Sequence, residues 1–153
     1  MSDRKEQHFS CKSSWPDGPW KNEPDQVDWV DEATGYNCRI FRNPAGAFWL
    51  GYVYIPKHHP LFGMDYDHKE LSKLRVHGGV TWSFPNSFPN DYDDEERPEE
   101  WEIGFDCSHA WDLMPTVREH MKHTKNGRSY KDQAFVTAEV ESLAKQLKEL
   151  EGK

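Results

Sequence analysis

Two short segments concentrate the side chains capable of chemistry. Val76-His77-Gly78-Gly79-Val80-Thr81-Trp82-Ser83 sets an imidazole before two glycines and a hydroxyl after them. Gly104-Phe105-Asp106-Cys107-Ser108-His109-Ala110-Trp111-Asp112 gathers two carboxylates, a thiol and an imidazole in one run. Both stretches otherwise read as apolar strand, and ionisable groups are costly to bury unless hydrogen-bonded, paired or metal-bound. The two segments therefore mark a site, with His77, Asp106, His109 and Cys107 as the catalytic candidates. If the strands that carry them pair, His77, Asp106 and His109 converge at one end of a sheet.

Three chemistries fit these residue types. His77, Asp106, His109 and Asp112 form a candidate imidazole and carboxylate set for a divalent metal, which would activate water for hydrolysis. No HExxH or comparable metal motif accompanies them. Cys107 beside His109 or His77 would make a nucleophile and base pair, although a structural Cys on a strand is the commoner use of that residue. The third chemistry is binding. Arg75, His77, Gly78, Gly79, Thr81, Trp82, Asp106 and Trp111 are the candidate ligand contacts, with Tyr54 and Trp101 as further pocket walls. Glycines let a ligand approach the backbone, backbone N–H groups suit a phosphate, and flat aromatic rings suit a nucleobase. Any one of these aromatics reads equally well as core. His58, His59, Asp65, Asp67 and His68 are further metal candidates in a loop, where adjacent histidines are more often simply solvated, and His120 and His123 read as surface groups.

Composition bounds the partners. The chain has 153 residues with a formal net charge of -8, and 14% of it is aromatic. An acidic balance disfavours direct nucleic-acid binding, which rests on neutralising phosphates. Its mean hydropathy of -0.99 is low, but seven Trp, eight Phe and six Tyr supply a core in a few large side chains. No stretch approaches the roughly 20 apolar residues of a membrane span. The first residues are charged and no apolar stretch follows, so no signal peptide is expected. Cys11, Cys38 and Cys107 are odd in number and widely spaced, which argues against a disulfide framework and for a cytoplasmic protein.

The elements that must position the two segments follow from periodicity. Residues 1–25 read as a polar arm without regular structure, pinned by Trp15 and Trp20, and residues 26–153 as one α+β domain. Val27–Val30, Tyr36–Arg42 and Ala47–Ile55 read as a strand meander separated by turns at Ala33-Thr34-Gly35 and Asn43-Pro44-Ala45-Gly46. Lys69–Leu74 reads either as a helical turn or as the start of a strand running through His77 to Ser83. Residues 84–100 form an acidic, Pro-rich loop. Trp101–Cys107 reads as a strand with Trp101, Ile103 and Phe105 on one face. Pro115–Lys122 suits a short helix. Val136, Val140, Leu143, Leu147 and Leu150 make one apolar stripe of a C-terminal helix, with Asp132 near its start and Gly152 at its stop. The expectation is a mainly antiparallel sheet with this helix packed on one face.

Taken together, these motifs resemble a widespread family of small bacterial and phage proteins with VHGG(L/V)T and GFDC(A/S)H signatures. The resemblance rests on Gly51-Tyr52-Val53, His59-Pro60, Asp65-Tyr66-Asp67, Val76–Thr81, Gly104–His109 and Glu139–Ala144, and runs from about Cys38 to Leu147. Trp111 departs from it, standing where the family pattern has Gly. The resemblance implies a phage or mobile-element setting, hence a bacterial host cytoplasm, and carries no activity with it. The leading expectation is an accessory protein that binds a compact polar, nucleotide-like ligand, with or without turnover. The alternatives are a metal-dependent hydrolase using His77, Asp106 and His109, and an acidic protein–protein antagonist that uses Asp93, Asp94, Glu95 and Glu96 as a charged decoy. Oligomeric state is left open.

Overall fold

The aromatic and β-branched run at residues 47–55 becomes an interior strand of a six-stranded antiparallel sheet. The computed structural model describes residues 4–85, 99–117 and 128–152. Its strands are β1 (Lys5–Gln7), β2 (Gln26–Val30), β3 (Asn37–Arg42), β4 (Trp49–Pro56), β5 (Trp82–Pro85) and β6 (Glu100–Asp106), in the sheet order β1-β2-β3-β4-β6-β5. The helices are α1 (Lys69–Ser72) and α2 (Gln133–Glu151), with a 3-10 turn at Pro19–Asn22. This is the expected α+β meander with its C-terminal helix.

Side-chain alternation assigns the two faces of the sheet. Val27, Trp29, Cys38, Ile40, Trp49, Val53, Ile55, Ile103 and Phe105 are buried in one cluster with Val136, Val140, Leu143, Ala144 and Leu147 of α2. Each such aliphatic side chain contributes about 1.5–3 kcal/mol on burial. Gly51 lets the helix close down, because a Cβ there would lie 2.7 Å from Val140 and 2.5 Å from the Phe105 ring. Asp132 caps α2 by accepting from the Phe135 amide at 2.8 Å.

Three expectations are corrected. The arm is not wholly irregular: Lys5, Glu6 and Gln7 pair with Asp28, Val27 and Gln26, and Trp20 is buried. Of the two readings of Lys69–Leu74 the helical turn holds, as α1, and the strand does not: none runs from Leu74 to Ser83, since β5 starts only at Trp82. His77 therefore sits in a turn ahead of the strand. Trp101 packs into the core against Phe62, with ring centroids 5.4 Å apart, and Tyr54 is buried on the sheet face away from α2, so neither walls the site. Most of the acidic loop, Lys122 of the expected short helix, His120 and His123 lie outside the described residues.

Arg42 ends β3 on the helix face, fully buried, and uses all five of its N–H donors. Nε donates to Asp25 at 2.8 Å, one terminal nitrogen to the Ala47 carbonyl and Tyr130 hydroxyl, and the other to Glu23 and the Pro24 carbonyl. Glu23 in turn accepts from the Gln133 amide at 2.6 Å. One guanidinium thus ties the arm, β3 and the start of α2 together.

Candidate functional site

The site forms where β6 ends. Trp82 pairs with Gly104, and the Thr81 amide donates to the Gly104 carbonyl at 3.0 Å, so the 76–81 turn lies against the last residues of β6. The two motif segments therefore meet through Thr81 and the single ladder pair of Trp82 with Gly104, while residues 76–81 lie outside the ladder.

Side chains of α2 hold the turn from the other side. The His77 amide donates to Glu139 Oε1 at 2.8 Å, and the Phe135 ring meets the imidazole edge-on at 5.3 Å. Gln146 clasps Arg75 twice, accepting from its amide and donating to its carbonyl, both at 2.8 Å. Gly78 and Gly79 both adopt left-handed backbone, with φ of 70° and 81°, conformations that favour glycine. Gly78 is also sterically required, because a Cβ there would lie 1.9 Å from His109 Nε2. At Gly79 no described residue comes within 4 Å of where a Cβ would stand.

The carboxylates pair crosswise with the imidazoles. His77 Nε2 lies 2.9 Å and 2.8 Å from the two oxygens of Asp112, which is 1% exposed. Asp112 also accepts from the His109 amide at 2.9 Å and sits 3.1 Å from Lys131 Nζ. Burial pushes the Asp112 carboxyl up, but the donors His77, His109 N–H and Lys131 outweigh it and hold the group below its ordinary range. His109 Nε2 lies 3.3 Å from Asp106 Oδ1 without the alignment of a hydrogen bond. Asp106 is otherwise occupied: Ser108 donates to Oδ1 from its amide and hydroxyl, and Thr81 donates to Oδ2 at 3.0 Å. The two imidazoles stand edge to face, 5.6 Å apart.

Both carboxylates accept from neighbouring donors, but only Asp112 is buried; the Asp106 side chain, at 21%, is as exposed as that of His77. The side chains of His77 and His109 are 21% and 37% exposed. With each Nε2 turned to a carboxylate, Nδ1 is the remaining nitrogen of each ring. Trp82 and Trp111 adjoin the cluster in sequence and are 41% and 67% exposed. Trp82 is steadied by its Nε1 donating to Glu102 at 2.7 Å. Arg128 donates to the Asp112 carbonyl at 3.3 Å.

Two expectations about this site meet contrary geometry. Among the described residues no three His, Cys, Asp or Glu groups are arranged to hold a metal ion. His77, Asp106, His109 and Asp112 all lie among those residues, and as arranged the four do not form a ligand set. Cys107 is 2% exposed, and burial first, then Asp112 and Asp106, pushes its thiol up, away from the thiolate a nucleophile needs. Cys11, Cys38 and Cys107 are all free. Lys131, Glu139, Phe135 and Gln146 were not among the sequence candidates. No family model, curated protein or solved structure matches this chain. No helix among the described residues is long and apolar enough to cross a membrane.

Proposed function

We propose that the protein binds a compact polar ligand of nucleotide-like chemistry at the corner formed by His77, His109, Gly79 and Thr81, between Trp82 and Trp111. The observation that carries this reading is that donors within the cluster already occupy both carboxylates, while two partly exposed imidazoles each keep Nδ1 for a ligand. A cluster built only for stability has no need to leave two imidazoles at the surface with their second nitrogens uncommitted. In a chain of net charge -8, Arg128 and Lys131 both stand against Asp112 at this corner and offset its charge, which favours an anionic group. The exposed indoles offer stacking faces, and base–aromatic stacking contributes about 1–3 kcal/mol per base.

The test is a thermal-shift panel of mononucleotides and cyclic dinucleotides. A ligand at about 100 times its Kd stabilises by about 2.7 kcal/mol, which for a domain of this size raises Tm by about 5–11 °C. His77→Gln and Trp111→Ala should shrink that shift. A flat response across the whole panel would sink the reading.

A further inference from the structure

We propose that Asp112 is a positioning residue that fixes the neutral His77 ring as its Nε2–H tautomer, so that Nδ1 accepts a hydrogen bond from a ribose hydroxyl of the ligand. The inference rests on the binding reading above and names the group that His77 recognises.

Both oxygens of Asp112 face donors other than His77. Oδ2 accepts from the His109 amide at 2.9 Å, and Oδ1 lies 3.1 Å from the Lys131 ammonium. A backbone N–H and an ammonium only donate, which favours the ionised carboxylate against its burial. A carboxylate only accepts. His77 Nε2 stands 2.9 Å and 2.8 Å from the same two oxygens, so it is the nitrogen that carries the proton. The neutral ring then has its lone pair on Nδ1, because the bond made by one nitrogen sets the state of the other.

The ring is also held in place. The His77 amide is tied to Glu139 Oε1 at 2.8 Å, Nε2 to both Asp112 oxygens, and the Phe135 ring stands at 90° to the imidazole. A flip that exchanged Nε2 and Nδ1 would break the contact with Asp112. The His77 side chain is 21% exposed. An ionised phosphate offers only acceptors, so it cannot satisfy a bare Nδ1. A ribose hydroxyl donates and can.

The test uses the full chain at pH 8, above the ordinary histidine value of about 6.5. Nitrogen-15 NMR reads the His77 tautomer in the free protein. Calorimetry compares adenosine 5′-monophosphate with its 2′,3′-dideoxy analogue, which keeps the base and phosphate and lacks both hydroxyls. We expect the Nε2–H tautomer, and about 3–10-fold tighter binding of the ribonucleotide, the range of one net hydrogen bond. In Asp112→Asn the amide can donate to Nε2, so the ring should move toward the Nδ1–H form and the affinity ratio toward one. A merely structural Asp112 would change stability and leave tautomer and ratio alone, which would overturn the proposal. Should Asp112→Asn fail to fold, the parent's tautomer and affinity ratio decide. An Nδ1–H ring in the parent overturns the assignment whatever binds. Equal affinities overturn the hydroxyl contact and leave the binding reading standing. If neither nucleotide binds, the hydroxyl contact is overturned, and the binding reading falls with it only when the whole nucleotide panel is also flat.

Discussion

Gly78 occupies the one position in its turn where a side chain would strike His109: a Cβ there would lie 1.9 Å from His109 Nε2. The adjacent Gly79 has the same left-handed backbone and no such neighbour. The two glycines therefore separate backbone strain from steric support of the site. Gly79→Ala should cost about 1–3 kcal/mol for strain alone and leave His109 in place. Gly78→Ala should cost at least as much and also displace the imidazole. Urea unfolding reads the first effect, and the NMR shifts of the His109 ring protons read the second. Equal ring-proton shifts in the two variants would refute the argument.

Asp112 links Lys131, the His109 amide and His77, so it should matter more to stability than an ordinary surface carboxylate. Replacing it by Asn leaves Lys131, whose side chain is 15% exposed, without its carboxylate. The cost should approach the ~3–5 kcal/mol of a buried pair broken on one side. The pH dependence has a fixed sign. Asp112 has a depressed pKa in the folded chain, so its contribution is complete above the usual carboxylate value near ~3.9 and is lost as pH falls through the lower folded value. Asp112→Asn should flatten the acid limb of a stability–pH curve measured by urea unfolding between about pH 2 and 4. An unchanged limb would show that other carboxylates dominate it.

The course of the chain was largely readable because few residues are apolar and those few obey strict periods. The stripe Val136, Val140, Leu143, Leu147 and the alternation Ile103, Phe105 each fix a buried face. β1 escaped notice because Lys5, Glu6 and Gln7 are all exposed, and a polar edge strand leaves no burial pattern to read. The site was half legible. Unusual polar residues located it, but their pairing depends on tertiary contacts, and spacing grouped Asp106 with His77 where the fold pairs Asp112 with His77. Glu139 and Gln146 fall outside the apolar stripe of the helix, and nothing local distinguishes a glutamate that binds a distant amide. Arg42 did leave a signal: it shares parity with Cys38 and Ile40, which places it on the helix face.

His59 docks the 56–61 turn onto the far end of α2. Its Nε2 lies 2.7 Å from the Leu147 carbonyl and its Nδ1 accepts from the Leu61 amide at 3.0 Å. A carbonyl only accepts and an amide N–H only donates, so the ring must be neutral with its proton on Nε2. Burial first, opposed by the Leu147 bond and Glu151, holds its pKa below the ordinary value. The groups facing it are Glu151, His58 and Lys148. Because the folded form resists protonation, stability from His59 is complete above ~6.5 and declines as pH falls toward the lower folded value. His59→Gln should be less stable at pH 7.5, and its stability should fall less than that of the parent between pH 7 and 5. Parallel pH profiles for the two proteins would refute the neutral lock.

The final prediction concerns Arg42, whose network reaches the candidate site through neighbouring residues. Tyr130 accepts from Arg42 at 3.0 Å, and the next residue, Lys131, binds Asp112. Lysine keeps the charge but has three donors on one nitrogen against five in a planar fork. It would leave some of the Ala47 and Pro24 carbonyls, Tyr130 and Glu23 without partners in a region closed to water. An unsatisfied buried polar group costs about 1–3 kcal/mol, so Arg42→Lys should destabilise by several kcal/mol, read as a lower urea midpoint at unchanged m-value. Arg42→Met should be worse, because Glu23 and Asp25 then lose their central counter-charge and, among the described residues, Asp25 keeps Lys12, at 3.2 Å, as its salt-bridge partner. Hydrogen exchange should locate the damage, with faster exchange at the start of α2 and little change at its Leu147 end. Uniform acceleration along α2 would mean that Arg42 supports the fold as a whole and does not specifically anchor the start of the helix.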